Sequence, residues 1–275
     1  MRIDAHQHFW RYRPEAYAWI GEGMEVLRGD FYPPELKRLL QENGFDGCIA
    51  VQSEQTEEHN SFLLGLAEKY DFIKGVVGWV DLSSDDIHEK ATAFRDSSKM
   101  KGFRHILQDE SRRDMMLNPA FISGLRAIGR LGFTYDVLVH GDQLKFIEEL
   151  LPQCPDQLFV LDHLGKPPIK SGEIEDWKKT MNELSRFENL HCKISGMVTE
   201  ADWQEWQSAD LVPYLDCVVD AFGVDRLMFG SDWPVCLLAA DYGVVVSIAE
   251  SYFSSFTETE REKIFGENAI AFYKL

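Results

Sequence analysis

Two histidines near the start of the chain, His6 and His8, are separated by a single residue at the end of a mainly apolar stretch. On a β-strand, a spacing of two places both imidazoles on one face, and Asp4 is expected to share that face. Two buried imidazoles side by side are costly unless they share a metal ion, an acidic partner or a substrate oxygen. The pattern predicts a catalytic or metal-binding pair. The alternative is that both histidines are structural residues of the core or of a loop, with their hydrogen bonds satisfied there.

A candidate carboxylate, Asp232, follows the apolar run at residues 227–229 near the other end of the chain. Capping of a following helix is the alternative role, but Pro234 comes two residues later and no clear helix begins there. A carboxylate beside two imidazoles can hold a metal ion or activate a water molecule. Asp232 is therefore predicted to act with His6 and His8 as a general base or a metal ligand.

Further histidines follow other apolar stretches. Asp162 and His163 are adjacent, so on a strand only one of them can face the interior. His163 is predicted to take part in the chemistry, with a structural role as the alternative, and Asp162 is predicted to be a structural partner. His140 is either a further ligand or substrate contact, or a loop histidine. His59 and His88 lie in polar, helix-like stretches and are expected on the surface.

Substrate contacts are predicted from side chains that suit a polar ring compound. The planar guanidinium of Arg104 can bind a carboxylate or an oxyanion, although an ion pair with one of the many carboxylates is the alternative. Aromatic side chains near a polar centre suit stacking against a sugar or another planar ring, although core packing is their commoner role. The predicted substrate contacts are Arg104, His105, Trp10, Trp79 and His140.

These candidates must be positioned by the elements that precede them. Short apolar segments alternate with amphipathic segments at a period of roughly 30–35 residues, the size of a βα unit. Such alternation implies a parallel sheet covered by helices. Eight units favour a closed (β/α)8 barrel (a TIM barrel) of the α/β class, formed by residues 1–275 as one domain. No GxGxxG motif follows the first strand, which disfavours a dinucleotide-binding fold.

The predicted strands are 2–8, 45–53, 73–82, 100–107, 133–140, 158–165, 190–196 and 226–234. The predicted helices are 34–43, 61–70, 119–131, 143–151, 177–187, 209–222 and 242–253. Active sites of such barrels lie at the carboxyl ends of the strands, where the candidate residues fall. The first and eighth strands are neighbours in a closed barrel, so Asp232 is expected beside the two histidines. The irregular segment 9–33 is predicted to form a wall or lid of the site.

Composition excludes several functions. The 275 residues include 28 Lys and Arg against 46 Asp and Glu, a formal net charge of −18, which argues against binding to nucleic acid or to an anionic membrane surface. No apolar run approaches the length of a transmembrane helix, and no secretory signal is recognised. Five widely spaced cysteines without a CxxC pair are typical of free thiols in the cytoplasm. A homo-oligomer is compatible with the sequence but not specified by it.

Taken together, these motifs resemble the amidohydrolase superfamily, and more narrowly its "amidohydrolase 2" lactonase branch. That branch includes sugar-acid lactonases, acting on fucono-, rhamnono- or galactarolactone, and 2-pyrone-4,6-dicarboxylate lactonase. The resemblance covers essentially the whole chain. It is carried by DAHQHFW at 4–10, AVQSEQTEE at 50–58, GWVDL at 78–82, KGFRHILQDE at 101–110, LDHLGKP at 161–167, CKISGM at 192–197 and FGSDWPVCLLAA at 229–240.

The resemblance implies hydrolysis of a cyclic ester. Asp232 is expected to take a proton from water and pass it to the leaving alkoxide, while His6, His8 and His163 surround the carbonyl oxygen, directly or through a bound Zn²⁺. Arg104 is the only Arg at a predicted strand end, and this scarcity of cations favours a sugar-acid lactone over the dicarboxylate. Metal-dependent decarboxylation, amide hydrolysis and ligand binding without turnover are the alternatives.

The resemblance also bears on the metal. Many superfamily members place a carboxylated Lys at the end of strand four to bridge two metal ions, whereas this chain offers Arg104 and His105 there. A binuclear centre is therefore not expected. The lactonase branch includes enzymes with one zinc ion and enzymes with none, and the sequence leaves both states open. If a zinc ion is present, its predicted ligands are His6, His8, Asp232 and His163.

Overall fold

A computed structural model describes all of residues 1–275. Eight parallel strands follow one another around a single sheet in chain order, so the predicted (β/α)8 barrel is confirmed. The strands are β1 (Ile3–Gln7), β2 (Gly47–Val51), β3 (Ile73–Gly78), β4 (Met100–Ile106), β5 (Thr134–Leu138), β6 (Phe159–Leu161), β7 (Leu190–Ile194) and β8 (Leu227–Phe229).

Eleven helices surround the sheet. They are α1 (Pro33–Glu42), α2 (Glu57–Lys69), α3 (Ile87–Thr92), α4 (Pro119–Arg130), α5 (Leu144–Leu150), α6 (Glu175–Leu184), α7 (Met197–Glu200), α8 (Ser208–Phe222), α9 (Tyr242–Tyr252), α10 (Glu258–Glu262) and α11 (Asn268–Tyr273). The seven predicted helices correspond to α1, α2, α4, α5, α6, α8 and α9, while four short helices were not predicted. None of the helices has both the length and the apolar character needed to cross a membrane.

The ring of strands is closed by backbone hydrogen bonds between β1 and the segment that follows β8. The Asp232 N–H donates to the His6 carbonyl at 2.8 Å, and the His8 N–H donates to the Trp233 carbonyl at 2.7 Å. Residues more than 220 positions apart in the chain are thereby held side by side. The expected proximity of Asp232 to the two histidines is confirmed.

Apolar side chains fill one end of the barrel and leave the other end polar. Inside the ring of strands, a cluster of ten buried residues includes Ile3, Ala5 and Val77. Phe272 and Tyr273 of α11 belong to the same cluster and cover that end of the barrel. A second cluster of 68 buried residues lies mainly between the sheet and the helices. Burial of this apolar surface supplies the main stabilising free energy. The polar candidates are left at the carboxyl ends of the strands.

A bulge in β1 changes which residues face inward. The three-residue step from Asp4 to Gln7 lies opposite a two-residue step on β2, so one extra residue interrupts the alternation. Ala5 belongs to the interior cluster, and the next residue, His6, also faces inward. Asp4 instead accepts a hydrogen bond from Tyr242 of the covering helix α9, at 3.2 Å. The prediction that Asp4 shares the face of His6 is wrong, because it assumed an unbroken strand.

Strands β6 and β8 are shorter than predicted. β6 ends at Leu161 rather than at Gly165, and a turn of 3₁₀ helix covers residues 162–165. In this turn His163 and Leu164 adopt left-handed backbone conformations, each with φ of 54°. Left-handed residues cannot continue a strand, so the chain turns just where the candidate residues begin.

Candidate active site

A cavity of about 310 Å³ opens at the carboxyl ends of the strands. Its lining combines three predicted catalytic residues with side chains from several strand ends and loops. The lining residues are His8, Trp10, Trp19, Met24, Ser53, Arg104, Ile106, Gln108, Asp109, Leu138, His163, Lys166, Thr199, Glu200, Trp203, Asp232, Val235 and Leu238.

The irregular segment between β1 and α1 forms one wall of this cavity, as predicted. Trp10, Trp19 and Met24 of the segment line the cavity. Trp10 is fully buried and is held by hydrogen bonds to Phe31 and, through its indole N–H, to the Gly29 carbonyl at 2.9 Å. These hydrogen bonds join the beginning and the end of the segment and so hold the wall in one conformation.

His6, His8 and Asp232 converge on one point. The Nε2 atoms of His6 and His8 lie 3.2 Å apart, and Oδ1 of Asp232 lies 3.7 Å and 3.4 Å from them, respectively. Ligands of a tetrahedral zinc ion, bound at 2.0–2.1 Å, are separated by about 3.3 Å. Nε2 of His163 is 4.0 Å from the same Asp232 oxygen. The structure thus brings the four predicted ligands together, three of them at separations that suit one ion.

The tautomer of His8 supports the fit to a cation. Its Nδ1 lies 2.8 Å from the Val51 carbonyl oxygen, which can only accept a hydrogen bond. Nδ1 therefore carries a proton, and Nε2 is the ring atom that faces the Asp232 carboxylate. Two electron-rich atoms 3.4 Å apart need a proton or a metal ion between them.

Asp232 is ionised in this setting. Burial alone would raise the pKa of its carboxyl group, but the imidazoles of His163, His8 and His6 outweigh that effect and hold the pKa well below its usual range. Its backbone is left-handed, with φ of 58°. The structure therefore holds a carboxylate, rather than a carboxylic acid, against the histidines.

His163 reaches the site through the turn after β6. Its Nδ1 lies 2.9 Å from Oγ of Ser195, and burial lowers its pKa to about 4, so the ring is neutral near pH 7. A Cβ added to Gly196 would lie 2.6 Å from that same Nδ1. The prediction that only one of Asp162 and His163 faces the interior is wrong, because the left-handed turn aims both of them inward.

A buried network of charges beneath the site was missed by sequence reasoning. Lys193 of β7 is fully buried, and its Nζ lies 2.6 Å from Asp136, 3.1 Å from Asp162 and 3.0 Å from Nδ1 of His6. Tyr273 of α11 donates a hydrogen bond to Asp136 from the opposite side. The signal in the sequence was a Lys inside the apolar strand LHCKI, where a charge needs a partner.

The two carboxylates of this network respond differently to burial. Burial raises the pKa of Asp136 to about 6, despite the adjacent Lys193. For Asp162, burial is outweighed by Lys193, His6 and Arg104, which hold its pKa well below the usual range. Asp162 therefore stays ionised beside Nδ1 of His6, at 3.2 Å, and fulfils the predicted role of a structural partner.

Arg104 lines the cavity, but much of its guanidinium is already engaged. It donates to Asp162 at 3.1 Å and to the Gln52 carbonyl, and it lies 3.4 Å from Nε2 of His6. The alternative weighed from the sequence, an ion pair, is thus observed. Nε of Arg104 is also buried and has no hydrogen-bond partner.

Three predicted substrate contacts, Trp79, His105 and His140, are not among the residues that line the cavity. Alternation along β4 turns His105 outward, where it contacts Glu110 at 2.8 Å and accepts a hydrogen bond from the indole of Trp79. His140 lies two residues beyond the end of β5 and precedes a helical turn. The structure does not bring these three side chains to the cavity.

Two further cavity residues, Lys166 and Glu200, were not predicted. Their side chains form an ion pair at 3.2 Å, and both lie in loops or short helices that follow strands.

Of the two histidines expected on the surface, His88 is exposed but His59 is buried. His59 was misplaced because Glu57, Glu58 and Ser61 beside it face outward, whereas His59 and Asn60 lie on the side of α2 that faces the barrel.

A family model described as Amidohydrolase matches residues 3–275. An L-fucono-1,5-lactonase of Burkholderia multivorans is 40% identical over 286 aligned residues, covering 100% of this chain and 96% of that protein. An L-rhamnono-gamma-lactonase of Scheffersomyces stipitis is 26% identical, over 68% of this chain and 63% of that protein.

Among solved structures, a crystal structure of an amidohydrolase from Burkholderia multivorans with bound zinc superposes with a TM-score of 0.96. The two sequences are 40% identical, and the match covers 100% of this chain and 99% of the other.

Proposed function

The chain belongs to the amidohydrolase family, and we propose that it is a lactonase that hydrolyses the ring ester of a sugar-acid lactone, with L-fucono-1,5-lactone as the first candidate substrate. The observation that carries this proposal is the meeting of the Asp232 carboxylate with His6, His8 and His163 in one cavity. The L-fucono-1,5-lactonase that is 40% identical over the whole chain supports the substrate class.

The charges of the cavity favour a neutral substrate. Its lining contains two cations, Arg104 and Lys166, and three carboxylates, Asp109, Glu200 and Asp232. Arg104 is paired with Asp162, and Lys166 is paired with Glu200. A dicarboxylate would meet no uncompensated cation, whereas a polyhydroxylated lactone can exchange hydrogen bonds with these groups.

The aromatic wall suits the same class of substrate. Trp10, Trp19 and Trp203 line the cavity. The accessible surfaces of Trp19 and Trp203 are apolar, and the C–H groups of a sugar ring can pack on them while the ring hydroxyls face polar groups. Trp10 was predicted as such a contact; because it is fully buried and packs against Trp19, we propose that it supports this wall.

We propose that His6, His8 and Asp232, with His163 nearby, hold one zinc ion. When bound there, zinc would act as a Lewis acid that polarises the lactone carbonyl and lowers the pKa of a bound water molecule. In an enzyme without zinc, imidazole N–H groups would donate to the carbonyl oxygen in its place.

Asp232 is the base in either state. Its carboxylate accepts a proton from the attacking water, whose oxygen forms the new bond to the carbonyl carbon. The ring C–O bond then breaks, and the same proton is passed to the departing alkoxide, which leaves as a hydroxyl group. The other proton of the water stays on the new carboxyl group, which then ionises and releases that proton to the solvent, so the product is an open-chain hydroxy acid with a carboxylate at one end. Asp162 and Lys193 take no part in proton transfer and hold the ring of His6 in place.

A pH-indicator assay tests the proposal. Purified protein is offered L-fucono-1,5-lactone, L-rhamnono-gamma-lactone and 2-pyrone-4,6-dicarboxylate, both before and after chelator treatment with metal analysis. Enzyme-dependent acid release from a sugar-acid lactone is expected. Loss of the rate on metal removal and rescue by zinc would assign the carbonyl to the metal, and survival of the rate would assign it to the histidines.

The same assay separates the other reactions. Release of carbon dioxide or ammonia from a suitable acid or amide, without acid release from any lactone, would replace the proposal by decarboxylation or amide hydrolysis. Saturable lactone binding without turnover would replace it by a binding function.

We further propose that the reaction belongs to carbohydrate metabolism in the cytoplasm, where the five free, buried cysteines would remain reduced.

A further inference from the structure

Ser53 lies on the cavity wall, outside the His and Asp cluster. It follows β2 and lines the cavity, and its hydroxyl touches two buried side chains. Oγ of Ser53 is 3.2 Å from Nε2 of His59 and 3.1 Å from the phenolic oxygen of Tyr17. These two contacts decide which kind of hydrogen bond Ser53 can make with a ligand.

His59 has no proton to give to Ser53. The backbone N–H of Ser53 donates to Nε2 of His59 at 3.2 Å, and because a backbone N–H can only donate, Nε2 is the acceptor nitrogen. Burial lowers the pKa of His59 to about 3, so the imidazole is neutral and its single proton is on Nδ1. Nε2 therefore faces Ser53 with a lone pair.

Tyr17 has no proton to give to Ser53 either. Its hydroxyl donates to Oε1 of Glu54 at 2.8 Å, and Glu54 is held in place by an ion pair with Arg13 at 2.5 Å. A phenol has one proton, and a carboxylate is a stronger acceptor than a serine hydroxyl. The phenolic oxygen therefore also turns a lone pair toward Ser53.

The proton of Ser53 thus points into the protein, to His59 or to Tyr17, while its own lone pairs receive no donor from either residue. We propose that the Ser53 hydroxyl is a specificity-determining hydrogen-bond acceptor, which selects lactones that carry a hydroxyl group at the ring position facing it. His59 and Tyr17 are positioning residues that set this polarity. The inference rests on the proposed lactonase activity and adds to it a rule for substrate choice.

The rule has a chemical consequence. A substrate hydroxyl can donate to Ser53, but a hydrogen atom, a methyl ether or a carboxylate at the same position cannot. A site that is built to pair with a substrate hydroxyl rejects the analogue that lacks it. One neutral hydrogen bond at a half-buried position corresponds to about tenfold in kcat/KM.

The experiment compares L-fucono-1,5-lactone with its monodeoxy analogues, each lacking one ring hydroxyl. These substrates are assayed with the wild-type protein, with Ser53→Ala, and with Ser61→Ala as a matched control on the exposed side of α2. The wild type and the control should discriminate about tenfold against one particular deoxy analogue. Ser53→Ala should lose that discrimination and leave the ranking of the other analogues unchanged.

His59 is tested by two variants, since its removal can also affect folding. His59→Gln retains both acceptors for the Ser53 proton and should keep the discrimination, whereas His59→Phe leaves Tyr17 as the only acceptor and should weaken it. Thermal unfolding of both variants shows whether any loss of total rate comes from misfolding, which would not change the ratio between two substrates.

The outcomes separate this inference from the proposed function. Hydrolysis of the parent lactone together with equal discrimination by the wild type and Ser53→Ala would overturn the inference alone. A uniform loss of rate on all analogues in Ser53→Ala would also overturn it, because it indicates a structural role. Failure of the wild type to hydrolyse any sugar-acid lactone would overturn both proposals.

Discussion

The ammonium group of Lys193 lies 3.0 Å from Nδ1 of His6, on the side of the imidazole opposite the Asp232 carboxylate. Both side chains are fully buried, and they are 187 residues apart in the chain. The imidazole of His6 is thus held between a buried charge network and the open cavity. Its orientation depends on partners that contact no substrate.

What Nε2 of His6 can bind depends on which nitrogen of the imidazole ring carries the proton. For Nε2 to bind a metal ion, the imidazole proton must be on Nδ1, which can then donate a hydrogen bond to Asp162 at 3.2 Å. For Nε2 to donate to a carbonyl oxygen instead, Nδ1 must accept, and Lys193 is the donor in reach. The network therefore contains a partner for each tautomer.

Replacement of Asp232 by Asn should remove the general base. The amide keeps the shape of the side chain but cannot take a proton from water, so turnover of a sugar-acid lactone is expected to fall by about 10²–10⁴-fold while the fold is retained. The pH-indicator assay measures the rate, and circular dichroism checks the fold. Asp85→Asn, at an exposed position, is the matched control. A fully active Asp232→Asn protein would refute the assignment.

Replacement of Gly196 by Ala should displace His163. The new Cβ would lie 2.6 Å from Nδ1 of His163, and Gly196 has a left-handed φ of 63°. Gly172, in an exposed turn, also has a positive φ, 72°, but no atom within 4 Å of an added Cβ. Both Ala variants should lose about 1 kcal/mol of unfolding free energy from backbone strain. Only Gly196→Ala should also lose lactonase turnover, and equal activity of the two variants would contradict the proposed contribution of His163.

Replacement of Lys193 by Met should destabilise the fold. The change leaves Asp136 without its cation inside the barrel, and breaking a buried pair in this way costs about 3–5 kcal/mol. The double variant Lys193→Met with Asp136→Asn removes the unpaired charge as well, while Asp162 keeps its pair with Arg104. Urea unfolding should show that the double variant is more stable than Lys193→Met alone. The reverse order would show that the ion pair is not what stabilises this region.

Replacement of His191 by Phe should reduce the loss of stability in acid. Burial lowers the pKa of His191 to about 4, below its value of 6.5 in an unfolded chain. Between these values the unfolded state binds more protons, so the contribution of His191 is fully present above pH 6.5 and is lost as the pH falls toward 4.

The corresponding slope is at most about 1.4 kcal/mol per pH unit for one group. The His191→Phe protein should therefore show a flatter dependence of unfolding free energy on pH between 4 and 6.5, measured by urea unfolding at several pH values. His88→Gln, which changes an exposed histidine, should leave the slope as it is in the wild type. An unchanged slope in His191→Phe would show that the partial burial of His191 does not hold its pKa below the value of the unfolded chain.

Local pattern was sufficient to predict the architecture and much of the site. Short apolar segments predicted the eight strands, and segments with apolar residues at helical spacing predicted seven of the helices. Both patterns can be read from the sequence because they depend only on residues that are close together in the chain. The rule that barrel sites lie at the carboxyl ends of strands then selected His6, His8, His163 and Asp232. The closure between β1 and the segment after β8 brought His6, His8 and Asp232 together, and the turn after β6 added His163.

Two interruptions of the regular strand alternation were decided by the tertiary structure. The bulge in β1 turned Asp4 outward, and the left-handed turn at His163 allowed Asp162 to face inward as well. Neither follows from a period of two, because each depends on how the chain fits against neighbouring strands.

The tertiary structure alone also paired residues that are remote in sequence. Lys193 met Asp136 and His6, and Ser53 met Tyr17 across a gap of 36 residues. The sequence shows that a buried Lys or His needs a partner, since an unpaired polar group in the interior is costly. Which partner it finds is determined only when barrel closure brings distant strand ends within hydrogen-bonding distance.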